Sequence, residues 1–186
     1  MIVNAQQLKQ QWGTTGNTFN KRIKYHLKHH KLFKLRKGLY SDIPPTQLSE
    51  DDFRTLGGFL YTPSYLSYET ILYEHNIISQ RNQTLTFAWP YSQQITIEHQ
   101  TYHFRRLPMK LLLFPLGLKT SSSQTYACVE RAICDILYHH PHMPFDYLPT
   151  TLDTDLIWDI AQVFSQTKWQ KYLLSRIESL FPKERK

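Results

Sequence analysis

His26, His29 and His30 fall at i, i+3 and i+4 of one helical stretch, the spacing that turns side chains to a common face and suits a metal. No carboxylate or cysteine lies beside them, and His30 runs straight into Lys31, so no metal site is expected. His139, His140 and His142 close a second helical stretch around Pro141. Histidines suit the partial negative charge of a helix C-terminus and proline ends the coil, so this group is also expected to be structural. Cys128 and Cys134 lie in one helical pattern and match neither a disulfide framework nor a zinc signature. Glu130 and Asp135 lie on the same helix about 140° from facing one way, which argues against a paired-carboxylate site. Glu130 and Arg131 are instead expected to form a structural ion pair reaching toward Arg105 or Arg106. Glu98 is followed by His99-Gln100 with no lysine near it, unlike a nuclease site. The chain holds no Walker loop, G-x-G-x-x-G, G-x-S-x-G or H-E-x-x-H. No catalytic residue, metal or cofactor is predicted, and an enzyme is not expected.

What remains is cationic chemistry, and it is unevenly placed. The net charge is +7, yet residues 1–42 hold nine basic side chains and a single acid, Asp42, while the rest of the chain is nearly neutral. A basic segment joined to a neutral body suggests a polyanion-binding module attached to something else. The spacing predicts a short helix over residues 4–12, with Asn4 as its N-cap and Ala5, Leu8 and Trp12 on one face. Gly13 to Asn17 makes a tight turn, and a second helix runs from about Thr18 to His30 on an apolar stripe of Phe19, Ile23 and Leu27. Asn20, Lys21, Lys24, Lys28 and Lys31 lie opposite that stripe, with Arg22, Tyr25 and His29 on the flank. Leu32 to Tyr40 alternates around Lys37-Gly38 and predicts a basic two-stranded ribbon. Helix, turn, basic helix and ribbon together predict a winged helix-turn-helix. Its expected DNA contacts are Thr18, Asn20, Lys21, Arg22, Lys24, Tyr25 and Lys28 in the groove, with Lys34, Arg36 and Lys37 on phosphates.

The body begins after Ile43-Pro44-Pro45, since two prolines continue neither a helix nor a central strand. The predicted domains are residues 1–43 and 46–186, with few residues bridging them. Ser49 should cap a short helix ending at Gly57-Gly58, and Ser67 a second one carrying Ile71, Leu72 and His75, after an extended Tyr65-Leu66. Three extended pieces follow at residues 84–89, 94–98 and 101–107, the last two as a hairpin. On the third, Arg105 and Arg106 should point to opposite faces, one exposed as a secondary nucleic-acid contact and one partnered by a carboxylate. Residues 124–138 form an apolar-faced helix, and residues 153–181 two amphipathic ones, the second built on Trp169, Leu173, Ile177 and Leu180.

In all, 186 residues with 41% hydrophobic and 14% aromatic side chains can fill a core, which excludes wholesale disorder. No apolar run approaches the roughly 18–20 residues of a membrane span, and Met1 to Trp12 lacks the pattern of a secretory signal. A cytoplasmic protein with no membrane association is expected. The fold class is α+β: a winged helix-turn-helix followed by a mixed α/β domain with a small antiparallel sheet and C-terminal helices.

Four ordered motifs add a resemblance. Lys37-Gly38-Leu39-Tyr40, Tyr65 to Asn76, Thr101 to Pro108 and Ala127 to Tyr138 are similar to the "GLY" wing, "S…SAL…HG" helix, "Y.FRR.P" strand and "A..EKA..DLLY" helix of the AbiEi antitoxins of type IV toxin–antitoxin systems. The similarity spans about residues 8–140, with Asn76 where the family usually has glycine. It implies a winged helix that represses its own operon by binding promoter repeats in double-stranded DNA; a homodimer on that DNA is a separate expectation. It further implies an antitoxin domain that counteracts a nucleotidyltransferase toxin without requiring a stable complex. The alternative is a free-standing transcriptional regulator whose body serves dimerisation or ligand sensing.

Overall fold

Asn4 closes a three-residue strand, β1 (Ile2–Asn4), and opens a helix, α1 (Ala5–Trp12). Its side-chain oxygen accepts the Gln7 N–H at 2.9 Å, and the Gln7 side chain accepts the Asn4 N–H at 2.9 Å, a reciprocal cap. Gly13, at φ 60°, ends the helix in the left-handed region. Helix α2 (Gly16–Lys28) follows, starting two residues earlier and stopping two earlier than its apolar stripe suggests. The ribbon comprises β2 (Phe33–Arg36) and β3 (Leu39–Ser41), but it is not two-stranded. β1 adds to β3, giving an antiparallel sheet of order β1-β3-β2. Alternation along these strands divides their side chains. Val3 and Tyr40 join Leu8, Phe19, Ile23 and Leu32 in one small core, whereas Ile2 and Leu39 are buried with Leu48, Phe53 and the rest of the body. Apolar packing therefore continues across Pro44-Pro45, where a short 3-10 turn spans Pro45–Gln47.

The computed structural model describes residues 1–80, 83–121, 124–165 and 170–182. In the body, α3 (Glu50–Leu60) is capped by Ser49, whose hydroxyl accepts the Asp52 N–H at 3.1 Å. It runs through Gly57-Gly58 instead of stopping there. A Cβ on Gly57 would lie 2.4 Å from Phe87 Cζ, so this glycine lets the helix approach the sheet. Then come β4 (Tyr65–Leu66), α4 (Glu69–Glu74), β5 (Leu85–Trp89), β6 (Gln93–Ile97) and β7 (Gln100–Arg106). The expected hairpin is β6–β7, turning at Glu98 with φ 55°. After α5 (Met109–Leu112) the chain forms β8 (Leu118–Thr120), β9 (Thr125–Ala127) and α6 (Val129–His139). The helix expected from residue 124 thus starts at Val129, because Thr125 to Ala127 pairs with β8 and β4. Helices α7 (Thr154–Phe164) and α8 (Gln170–Leu180) pack on α6 and on each other. Trp169 lies outside the described residues.

The fold is mixed α+β. The sheet of the body is larger than expected and is not purely antiparallel: six strands in the order β6-β7-β5-β4-β9-β8, with β5–β7 and β4–β9 parallel. Strands far apart in sequence pair in it, which local alternation does not reveal.

A buried charge holds this layer together. Arg131 on α6 has no exposed surface, and all its N–H groups are used. Nε donates to Asp135 at 3.0 Å, Nη1 to the Phe114 and Leu116 carbonyls at 3.0 and 2.9 Å, and Nη2 to the Leu111 carbonyl at 2.7 Å and the Tyr65 hydroxyl at 2.8 Å. Asp135 also accepts from Tyr65 at 3.0 Å and Ser67 at 2.6 Å. The expected Glu130–Arg131 pair does not form: Glu130 accepts the Asp153 N–H at 3.3 Å, and Arg131 turns inward. Ser67, expected to cap α4, is likewise spent on Asp135, and Tyr68 takes the N-cap position at φ 58° with no side-chain cap.

Candidate nucleic-acid interface

On α2 the apolar side is closed by Phe19 and Ile23, 5% and 7% exposed, with Leu27 half-buried. Thr18, Asn20, Lys21, Arg22, Lys24, Tyr25 and Lys28 are all exposed. The structure thus brings the predicted groove-contacting residues onto one accessible helix. Two of them are braced. The Arg22 guanidinium lies 4.7 Å over the Trp12 ring, and Trp12 stacks on His26 at 4.9 Å. Tyr25 is 53% exposed and packs against the His29 ring at 4.3 Å. His26 is therefore a stacking partner that ties the last turn of α2 to the end of α1. Burial first, then the charge of Arg22, holds its pKa below the ordinary imidazole value.

The ribbon separates its own cations. Lys34 faces Tyr40 in register, on the side the helices cover, and remains exposed; Lys37 is exposed at the turn, beside Gly38 at φ 79°. Strict alternation would put Arg36 on the same side as Lys34. A bulge between them moves Arg36 opposite Leu39, onto the face that packs against the body. Its guanidinium lies 5.5 Å over the Tyr61 ring at the end of α3, and the residue is half-buried. Arg36 is thus braced against the body, while Lys34 and Lys37 project freely.

The electrostatic balance of this unit is one-sided. Asp42, its only acid, pairs with the Met1 ammonium. Among the described residues, none of Lys21, Lys24, Lys28, Lys34 and Lys37 has a carboxylate within ion-pairing distance. Such a surface attracts polyanions at long range and loses that attraction as salt rises.

Arg105 and Arg106 lie elsewhere, at the end of β7. One arginine is partnered and the other exposed: Arg105 donates to Glu69 at 2.5 Å, with both side chains mostly buried, and Arg106 is exposed. Both line a cleft with His103, Tyr138 and His139 that includes no residue of α2 or the ribbon. Sequence reasoning missed Glu69 as the partner, the bulge that redirects Arg36, and the role of Tyr61. Among the described residues no group of three or more His, Cys, Asp or Glu side chains is arranged to hold a metal, and no helix is long and apolar enough to cross a membrane. Both cysteines are free and buried.

No protein-family model matches the chain, and no curated protein is significantly similar to it.

Proposed function

We propose that this protein is a DNA-binding transcriptional autorepressor and antitoxin that counteracts a nucleotidyltransferase toxin. The carrying observation is the exposed, carboxylate-free basic face of α2, flanked by Lys34 and Lys37. Two helices about a tight turn, then a ribbon with a basic turn, support a winged helix-turn-helix, with α2 as recognition helix and Lys37 at the tip of the wing. Asn20, Lys21, Lys24 and Lys28 reach base edges and flanking phosphates in the major groove, and the wing lysines neutralise backbone charge.

The antitoxin half of the reading rests on the four ordered motifs. One departure from the pattern becomes intelligible. Asn76, where the AbiEi family usually has glycine, sits at φ 58°, a left-handed conformation that asparagine adopts more readily than most residues. Tyr102 and Phe104 of the strand motif are wholly buried, and so are Ala132, Ile136 and Leu137 of the helix motif, so those motif positions serve the core.

The test uses full-length protein, because Ile2 and Leu39 pack into the body and removing residues 1–45 would uncover that core. A variant with Lys21, Lys24 and Lys28 changed to glutamate is expected to lose repression of a promoter reporter. It should still relieve growth arrest caused by a nucleotidyltransferase encoded beside it. If neither wild type nor variant relieves arrest, a free-standing regulator with a ligand-sensing body replaces the antitoxin reading; the large cleft beside Arg105 favours that second reading.

A further inference from the structure

The body has a cleft of about 900 Å³ that DNA recognition by α2 leaves unused. That volume falls in the range of about 300–1,000 Å³ typical of small-molecule sites. One wall is the end of β7, carrying His103, Arg105 and Arg106; the other is the last turn of α6 with Tyr138 and His139, extended by Tyr172 of α8. No aspartate or glutamate lines it among the described residues.

The two walls differ in chemistry. On the β7 wall, Arg105 Nη2 donates to Glu69, and its Nη1, which has no hydrogen-bond partner among the described residues, is enclosed. Arg106 beside it is exposed, and no carboxylate among the described residues pairs with it. The exposed Arg106 guanidinium, with no carboxylate on it among the described residues and with Arg105 beside it, suits a tetrahedral oxyanion. The opposite wall offers rings. Tyr138 is fixed edge-on to Phe164 at 5.8 Å, and Tyr172 is 62% exposed. His139 is kept neutral at pH 7, because burial first and Arg105 second bring its pKa down to about 4. Arg105 and Arg106 therefore supply the fixed positive charge of the cleft.

We propose that this cleft binds a nucleotide, with its phosphate on the Arg105–Arg106 wall and its base against Tyr138 and Tyr172. The proposal concerns the body alone and does not rest on the antitoxin reading or on DNA binding by α2.

Calorimetric titration of full-length protein with AMP, GMP, CMP and UMP tests it, with the parent nucleosides and inorganic phosphate as partial ligands. At least one nucleotide should bind saturably, at least tenfold more tightly than its nucleoside or phosphate. Arg106→Gln should weaken nucleotide binding at least tenfold with an unchanged melting midpoint, since the side chain is exposed. Tyr172→Ala should weaken nucleotide and nucleoside but leave phosphate unaffected. The triple glutamate variant of α2 should bind nucleotide as wild type does, which separates this site from the DNA face. The proposal is overturned if none of the four nucleotides binds, or if Arg106→Gln changes nothing. It is also overturned if the triple variant abolishes binding, or if only an RNA oligomer binds.

Discussion

Arg131 and Asp135 form an ion pair across one turn of α6, 3.0 Å apart, with neither side chain exposed. Burial alone raises the Asp135 carboxyl above its usual range; Arg131 and the donors Ser67 and Tyr65 oppose this. The pair remains ionised, because a proton on Asp135 would strand the Arg131 charge in the core. Arg131→Met should therefore cost about 3–5 kcal/mol in urea denaturation, since it leaves Asp135 unpaired and three carbonyls without donors. Tyr65→Phe, which removes one bridging hydroxyl, should cost about 1–3 kcal/mol. A loss below about 1 kcal/mol for both would show that the network does not hold α6 to β4, α5 and residues 114–116.

Gly117 stands beside the same arginine. Its φ is +76°, and a Cβ there would lie 2.7 Å from Arg131 Cβ, whereas Gly13 has φ +60° and open space around it. Gly117→Ala combines conformational strain with overpacking and should destabilise by about 1–3 kcal/mol more than Gly13→Ala. Equal thermal shifts in the two variants would mean that the close approach at Gly117 carries no cost.

His139 gives a pH dependence of defined sign. Its pKa is about 4 in the folded protein, against about 6.5 for an unperturbed imidazole. Between those values the unfolded chain binds the proton and the native protein does not, so stability falls as pH drops from about 6.5 to about 4. The bound on this loss is about 3 kcal/mol, reduced because the ring is partly exposed to solvent. Denaturant melts at pH 7.5 and 4.5 should show a smaller drop for His139→Gln than for wild type. Identical drops would assign the acid sensitivity to other groups.

Local periodicity made the first two helices legible: Asn4, Gly13 and the Phe19–Ile23–Leu27 stripe are read within one or two turns of chain. Strand β1 was not legible, because three residues carry no alternation of their own and pair only with residues 39–41. The same limit hid the site details. Arg36 follows the predicted alternation until a bulge, defined only by pairing with β3, turns it toward Tyr61. Glu69 and Arg105 lie on different elements, and their 36-residue separation leaves no local pattern. Arg131 and Asp135 do have helical i, i+4 spacing, but their burial depends on the carbonyls of Leu111, Phe114 and Leu116 and on Tyr65. Gly57 looked like a helix stop because its closeness to Phe87 appears only once the sheet is assembled.

The central claim is that α2 recognises DNA, and fluorescence anisotropy of full-length protein on its own promoter fragment tests it most directly. Lys21, Lys24 and Lys28 lie off the buried stripe, so changing all three to glutamate should leave the circular dichroism spectrum intact. Affinity should fall at least about a hundredfold, and wild-type log affinity should decline with log salt by about 0.9 per phosphate neutralised. Lys37→Ala should make that slope shallower by about one. Wild-type affinity and salt slope in the folded triple variant would contradict the assignment of α2 as the recognition helix.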